Sequence, residues 1–220
     1  MNNGQDKLII FDMDNTILQS RIDFPKMKAE VWRILDELGL PQFKCKSTAD
    51  SIMHYTQSPY YDHEVAEKMW RRVGEIEDEG LLAAVMEPGA VAALAYLQQY
   101  AELAVLTNNT DFNLSDNLGR LGILSYLSCV AGRDKVGRVL KPEPGGMEWV
   151  MAQYPSILRR RVVTVGDAWN DATAAAAAGI AFVAYNRSRL ENWDELGIVP
   201  RLRLTQWDLQ SCDAILELMD

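Results

Sequence analysis

Two aspartates with one residue between them, Asp12 and Asp14, follow directly on the apolar run Leu8-Ile9-Ile10-Phe11. Carboxylates this close repel unless a cation or a proton intervenes. A hard cation such as Mg2+ accepts one or two carboxylates together with waters and phosphate oxygens. An acidic loop or a helix cap is the plainer reading of the same residues. A calcium loop is excluded, because its sixth position, which requires glycine, is Ile17.

Three further polar groups stand at comparable places. Thr107-Asn108-Asn109 ends the run Leu103 to Leu106. Its hydroxyl and backbone N–H groups suit a phosphoryl oxygen, or equally a helix N-cap. Lys141 precedes Pro142-Glu143-Pro144, which implies a stiff, extended segment carrying a fixed ammonium, a point charge suited to phosphate. Gly166-Asp167 ends the run Val162 to Val165, with Asp171 four residues on. If Asp171 opens a helix, both aspartates lie near its positive end and can complete a cation site, although capping is an alternative for either.

The elements that must bring these groups together are short apolar runs separated by helical patterns. Leu8 to Phe11, Leu103 to Leu106, Val162 to Val165 and Ile180 to Ala184 read as buried strands, the last ending in Tyr185 and Asn186. Tyr126 to Val130 is a weaker strand candidate. Between them, Val91, Leu94, Ala95 and Leu97 share one helical face, and Leu114, Leu118 and Leu121 repeat similarly. Trp149 and Met151 to Tyr154 do so more loosely, and the alanine run Ala174 to Ala178 suits a helix lying close on a sheet. Alternating strands and helices imply a parallel sheet, whose ligands gather at the carboxyl ends of the strands. The stretch 19–86 has no convincing strand. Met27, Val31, Ile34, Leu35 and Leu38 mark one helix there, stopped by Gly39 and Pro41, and Val65, Met69, Val73 and Ile76 mark another. The expected architecture is an α/β Rossmann-like parallel sheet flanked by helices, with a small α-helical domain inserted after the first strand. The core is expected over 1–18 and 87–220 and the insert over 19–86.

Composition agrees with that size. The chain has 220 residues, 48% hydrophobic and 24% charged, which excludes disordered, collagenous and coiled-coil classes. A net charge of −9 argues against nucleic-acid and anionic-membrane partners, both polyanions. Cys45, Cys129 and Cys212 are too few and too scattered for a disulfide framework or a zinc site. The opening MNNGQDKLIIFDMD has no basic start followed by a long apolar run, so no signal peptide is expected. These features lead us to expect a cytoplasmic protein, monomeric or homodimeric.

In combination the motifs resemble the haloacid dehalogenase-like superfamily, in particular its phosphoglycolate phosphatase-like members with a helical cap after the first motif. The pattern D-x-D-x-T, a strand-end Ser or Thr, Lys, and G-D-x-x-x-D is met by Asp12, Asp14, Thr16, Thr107, Lys141, Gly166, Asp167 and Asp171. The likeness spans about residues 7–186. Asn15 departs from it, standing where many relatives carry glycine, although asparagine tolerates unusual backbone angles.

The resemblance implies a Mg2+-dependent phosphatase of a small phosphorylated metabolite, such as phosphoglycolate, a sugar phosphate or a nucleotide. Asp12 would be the nucleophile and Asp14 the general acid and base. The Asp12 side chain, the Asp14 backbone carbonyl and Asp167 would hold the metal. Thr107, Lys141 and N–H groups near Asn108 would bind phosphate, and Asp171 would support the metal and Lys141 from behind. In the insert, Arg21 is a candidate for a substrate carboxylate or second phosphate. His54 and His63 read as ordinary polar residues, and Arg71 and Arg72 as partners of Glu67, Glu75 or Glu77. Trp169, between Asp167 and Asp171, either packs or walls the cleft. A phosphomutase shares the core motifs. A phosphonate hydrolase needs an insert lysine, for which Lys26, Lys28, Lys44 and Lys46 are available. A non-catalytic phosphate-ester-binding protein would be expected to lack Asp12, Asp14 or Lys141.

Overall fold

In the computed structural model, residues 5–45, 47–185, 193, 195 and 197–220 are described. Asn186 and Lys46, named above, lie outside them. Six parallel strands form the main sheet in the order β5-β4-β1-β6-β7-β8. They are β1 (Leu8–Phe11), β4 (Glu102–Leu106), β5 (Cys129–Ala131), β6 (Val162–Gly166), β7 (Ala181–Tyr185) and β8 (Leu202–Leu204). Every residue of β1, β4 and β6 is buried. That is why these strands read as continuous apolar runs: a parallel sheet is covered on both faces.

The helices that cover it are α4 (Ala90–Leu97), α5 (Leu114–Arg120), α6 (Gly145–Ala152), α7 (Trp169–Ala178) and α8 (Leu209–Glu217). In α7 the alanines Ala172, Ala174, Ala175 and Ala178 are buried, so the helix lies close on the sheet as its composition implies. The buried face of α4 is Ala90, Ala93, Leu94 and Leu97, with Val91 exposed, which corrects the face expected from sequence. The weak strand expected at 126–130 is a 3-10 turn over Leu124–Tyr126 followed by β5. Strand β8 and helix α8 lie beyond the elements expected from the sequence.

The described chain divides into two compact units, Met1–Ser20 with Ala84–Asp220, and Arg21–Ala83. The second unit contains α1 (Phe24–Glu37), α2 (Thr48–Thr56) and α3 (His63–Leu82). Its core is Met27, Val31, Ile34, Leu35, Ile52, Tyr55, Met69, Trp70, Val73 and Ile76. Asp23 caps α1 by accepting from Lys26 N at 2.8 Å, and Asp62 caps α3 by accepting from Glu64 N at 2.8 Å. Leu38, expected on the apolar stripe, is the exposed C-cap of α1. Helix α2, with Ser47 and Asp50 bonding reciprocally at its start, shows no apolar period because half of its buried face, Thr48 and Ser51 beside Ile52 and Tyr55, is polar. A two-stranded ribbon, β2 (Leu18–Gln19) against β3 (Val85–Met86), lies in the first unit at the two crossings to the second. It corrects the expectation that 19–86 has no strand. Among the described residues no helix is long and apolar enough to cross a membrane.

Candidate active site

Register places the site. Phe11 pairs with Val105 of β4 on one side and with Val165 of β6 on the other. The next residues along all three strands therefore emerge together at the sheet's carboxyl edge, where the chain order switches sides. The first residue past β1 is Asp12, whose N–H donates to Val165 O at 2.8 Å. Thr107 follows β4 and donates its N–H to Ala131 O at 3.0 Å. Asp167 follows β6.

Lys141 reaches this edge from the loop after β5. Its Nζ donates to Asp12 Oδ1 at 2.6 Å, to Asp171 Oδ1 at 2.6 Å and to Leu106 O at 3.0 Å. Burial pulls the ammonium's pKa down, but the charges of Asp12 and Asp171 outweigh it and hold the pKa above its usual value. The Asp171 carboxyl is pushed up to about 6 by burial, with Asp12 adding to the shift and Lys141 opposing it.

The segment carrying Lys141 is a turn and not the extended stretch expected from its prolines. Glu143 N–H donates to Leu140 O at 2.9 Å, and the Lys141–Pro142 peptide is cis. Its rigidity comes from Asn108. That side chain accepts from Lys141 N at 2.9 Å and donates to Lys141 O at 3.0 Å.

Asp171 occupies the first turn of α7 and accepts from Ala168 N at 3.1 Å. A Cβ on Gly166 would stand 2.5 Å from Asp171 Cγ, so the glycine before Asp167 is a space requirement. Asn15 sits at φ 57°, in the left-handed region, with its N–H on Leu18 O at 2.7 Å. Asparagine bears that conformation better than most residues, which accounts for its standing in place of glycine. The Thr16 hydroxyl donates to Asp12 Oδ2 at 3.3 Å.

One oxygen from each of Asp12, Asp167 and Asp171 lies within 4.8 Å of the others. Three carboxylates against one lysine leave a local charge of −2, and an all-oxygen donor set of that charge fits a hard divalent cation. The Asp14 carboxylate is not in this group. It accepts from Asn109 Nδ2 at 2.7 Å.

Thr107 is buried and caps no helix, since the N-cap of α5 is Asn113. Its Oγ1 accepts from Asn109 N at 3.2 Å. Arg133, one of the largest fully buried side chains, donates to Asn108 O at 3.1 Å, and its backbone N–H donates to Asn109 O at 2.8 Å. Sequence reasoning places Asn109 at the end of the Thr107-Asn108-Asn109 run without a role of its own, and it misses Arg133. Asn109 adjoins a motif without belonging to its pattern, and Arg133 stands in no pattern at all.

Trp169 is 43% exposed, so it is not a packing residue of the core. In the helical unit Arg21 is exposed, with its backbone N–H on Gly80 O at 3.1 Å. Arg72 pairs with Glu75 at 2.7 Å and with Glu30 of α1 at 3.0 Å, the second partner being unforeseen. Lys26 is paired with Glu79 at 2.5 Å, and Lys28 Nζ donates to Cys45 O at 3.3 Å. Lys44 and His54 are exposed, and His63 opens α3.

The sequence pattern of the haloacid dehalogenase-like hydrolases matches residues 9–185. The chain belongs to this family. Its reaction class is that of a phosphoric monoester hydrolase. A phosphoglycolate phosphatase of Pseudomonas putida is 27% identical over 200 residues, covering 83% of this chain and 72% of its own. Another, of Vibrio vulnificus, is 28% identical over 193 residues, covering 82% and 84%. A solved hydrolase of subfamily IA from Geobacter sulfurreducens superimposes with a TM-score of 0.60 at 24% identity, covering 100% of this chain and 99% of its own. Phosphatases of this family generally use a divalent metal.

Proposed function

We propose that the protein is a Mg2+-dependent phosphatase that hydrolyses a small phosphorylated metabolite through an aspartyl-phosphate on Asp12. The observation that carries this reading is the buried ammonium of Lys141, 2.6 Å from both Asp12 and Asp171. A lysine so held fixes the attacking carboxylate and offsets charge that accumulates on the phosphoryl group.

The Asp12 and Asp167 side chains and the Asp14 backbone carbonyl would hold the cation, with Asp171 behind them. When bound, a divalent cation offsets the repulsion between an anionic nucleophile and an anionic phosphate. An Asp12 oxygen attacks phosphorus, and the bond from phosphorus to the leaving oxygen breaks as Asp14 gives that oxygen a proton. Asp14 then takes a proton from water, whose oxygen attacks phosphorus. The Asp12–phosphorus bond breaks, freeing inorganic phosphate and the carboxylate.

The Thr107 hydroxyl oxygen already accepts from Asn109 N–H, so its own proton is available to a phosphoryl oxygen, beside the N–H of Asn108. We assign leaving-group recognition to the helical insert and, within it, a substrate carboxylate to Arg21. On that reading Arg21→Ala raises KM for phosphoglycolate more than for an uncharged alkyl phosphate. The likeness to phosphoglycolate phosphatases makes phosphoglycolate the first substrate to try, followed by a sugar phosphate and a nucleoside monophosphate.

The test is phosphate release from those compounds with Mg2+ and with chelator, by the wild type and Asp12→Asn. Release that requires both Mg2+ and Asp12 is expected. Release undiminished in Asp12→Asn overturns the assignment of the nucleophile.

A further inference from the structure

We infer that Asn109 is a positioning residue for proton transfer, holding Asp14 by one oxygen so that the other carries the proton. The inference rests on the phosphatase reading and refines it.

Asn109 Nδ2 donates to Asp14 Oδ2 at 2.7 Å. An oxygen that accepts this bond is disfavoured as the seat of a carboxyl proton, because the hydroxyl oxygen of a carboxylic acid accepts more weakly than its carbonyl oxygen. The transferable proton is thereby directed to Oδ1. In the first step that proton passes to the leaving oxygen as its bond to phosphorus breaks. In the second step the same oxygen takes a proton from the attacking water. Asn109 itself neither gives nor takes a proton.

The donor is built to be stationary. Asn109 is buried. Its N–H is held by Thr107 Oγ1 at 3.2 Å and its carbonyl by Arg133 N at 2.8 Å. A Cβ on Gly132 would lie 2.7 Å from that carbonyl oxygen, so the strand-end loop is pressed against neighbouring backbone. A residue whose backbone is anchored on both sides carries its side-chain donor at a fixed place. Asp14 stands two residues beyond the nucleophile, beside the left-handed Asn15, and the Asn109 bond helps to fix its rotamer.

The test compares kcat/KM for two esters, p-nitrophenyl phosphate and a simple alkyl phosphate. The aryl leaving group departs with little help from an acid, whereas the alkyl one requires it. Asn109→Ala is expected to lose on the order of 10²-fold with the alkyl ester and only a few-fold with the aryl ester. Asn109→Asp, which keeps the shape and removes the amide donor, is expected to show the same selectivity. In the Asp14→Asn background, adding Asn109→Ala is expected to cost little more, because the two act as a unit. Equal losses with both esters, no loss, or multiplicative losses in the double variant overturn the role of Asn109 alone. A wild type inert toward both esters overturns the phosphatase reading and this role with it.

Discussion

The Lys141 ammonium and the Asp171 carboxylate meet at 2.6 Å, both buried, although 30 residues separate them in sequence. One comes from a turn after β5 and the other from the first turn of α7. The bond joins the two halves of the site and aims the lysine at Asp12.

Removing Lys141 leaves buried carboxylates without their cation. Lys141→Met is expected to destabilise the metal-free protein by about 3–5 kcal/mol, the usual cost of breaking a buried pair, as measured by urea unfolding with chelator present. Activity is expected to vanish. Lys141→Arg restores neither, because a planar guanidinium fork does not fit where a compact ammonium bridges two carboxylates and a carbonyl.

Gly166→Ala places a methyl group within 2.5 Å of the Asp171 carboxyl carbon, and the side chain must move. A displacement near 1 Å in a catalytic assembly costs on the order of 10²-fold in rate. The expected result is a fall in kcat of that size, read from steady-state phosphate release, with the sheet intact by circular dichroism.

Arg133→Met removes the donor to Asn108 O while preserving most of the buried volume. The carbonyl loses a charge-assisted bond, and the expected cost in urea is about 1–3 kcal/mol. Because Asn108 clamps Lys141 on both of its backbone groups, activity falls as well, with kcat affected more than KM.

Divalent cation is expected to stabilise the fold, because the carboxylate cluster at −2 assembles only when the chain is folded. At 100 times Kd the gain is about 2.7 kcal/mol, visible as a rise in Tm with added Mg2+ and its reversal by chelator. Asp167→Asn removes one carboxylate charge and is expected to shrink the Mg2+-induced rise while raising the Tm of the metal-free protein.

Burial pushes the Cys212 thiol from an ordinary value of 9.0 up to about 11, with the charges of Asp213 and Asp208 adding. The folded chain then binds this proton more tightly than the unfolded one. Its contribution to stability is whole below pH 9 and is lost as pH rises through about 11. Cys212→Ala is expected to flatten stability against pH over that window in urea titrations. In the native protein at pH 8, Cys212 is expected to resist alkylation while the less buried Cys45 reacts.

Much of this architecture is legible in the sequence. The strands β1, β4, β6 and β7 are apolar runs that end in polar residues, a pattern imposed by burial on both faces. The helices α1 and α3 carry long stripes with helical period. The elements that escaped lack a readable apolar pattern. The ribbon β2–β3 has two residues per strand, too few for a period. The buried face of α2 is half polar, with Thr48 and Ser51 beside Ile52 and Tyr55. In β8 only Leu204 is buried, and α8 buries only Cys212 and Ile215.

The sequence by itself determined the kinds of groups present, their order, and their places after buried strands, because strand burial and helix periodicity are local demands on residue type. Asp12, Thr107 and Asp167 were therefore assigned to one edge from the chain alone. Only the tertiary structure decided which side chains bond to which. It put Lys141 in a turn clamped by Asn108, joined Asn109 to Asp14, and buried Arg133 behind the loop. Hydrogen bonds between residues as far apart as Asp14 and Asn109 depend on strand register and loop course, and no spacing along the chain encodes those distances.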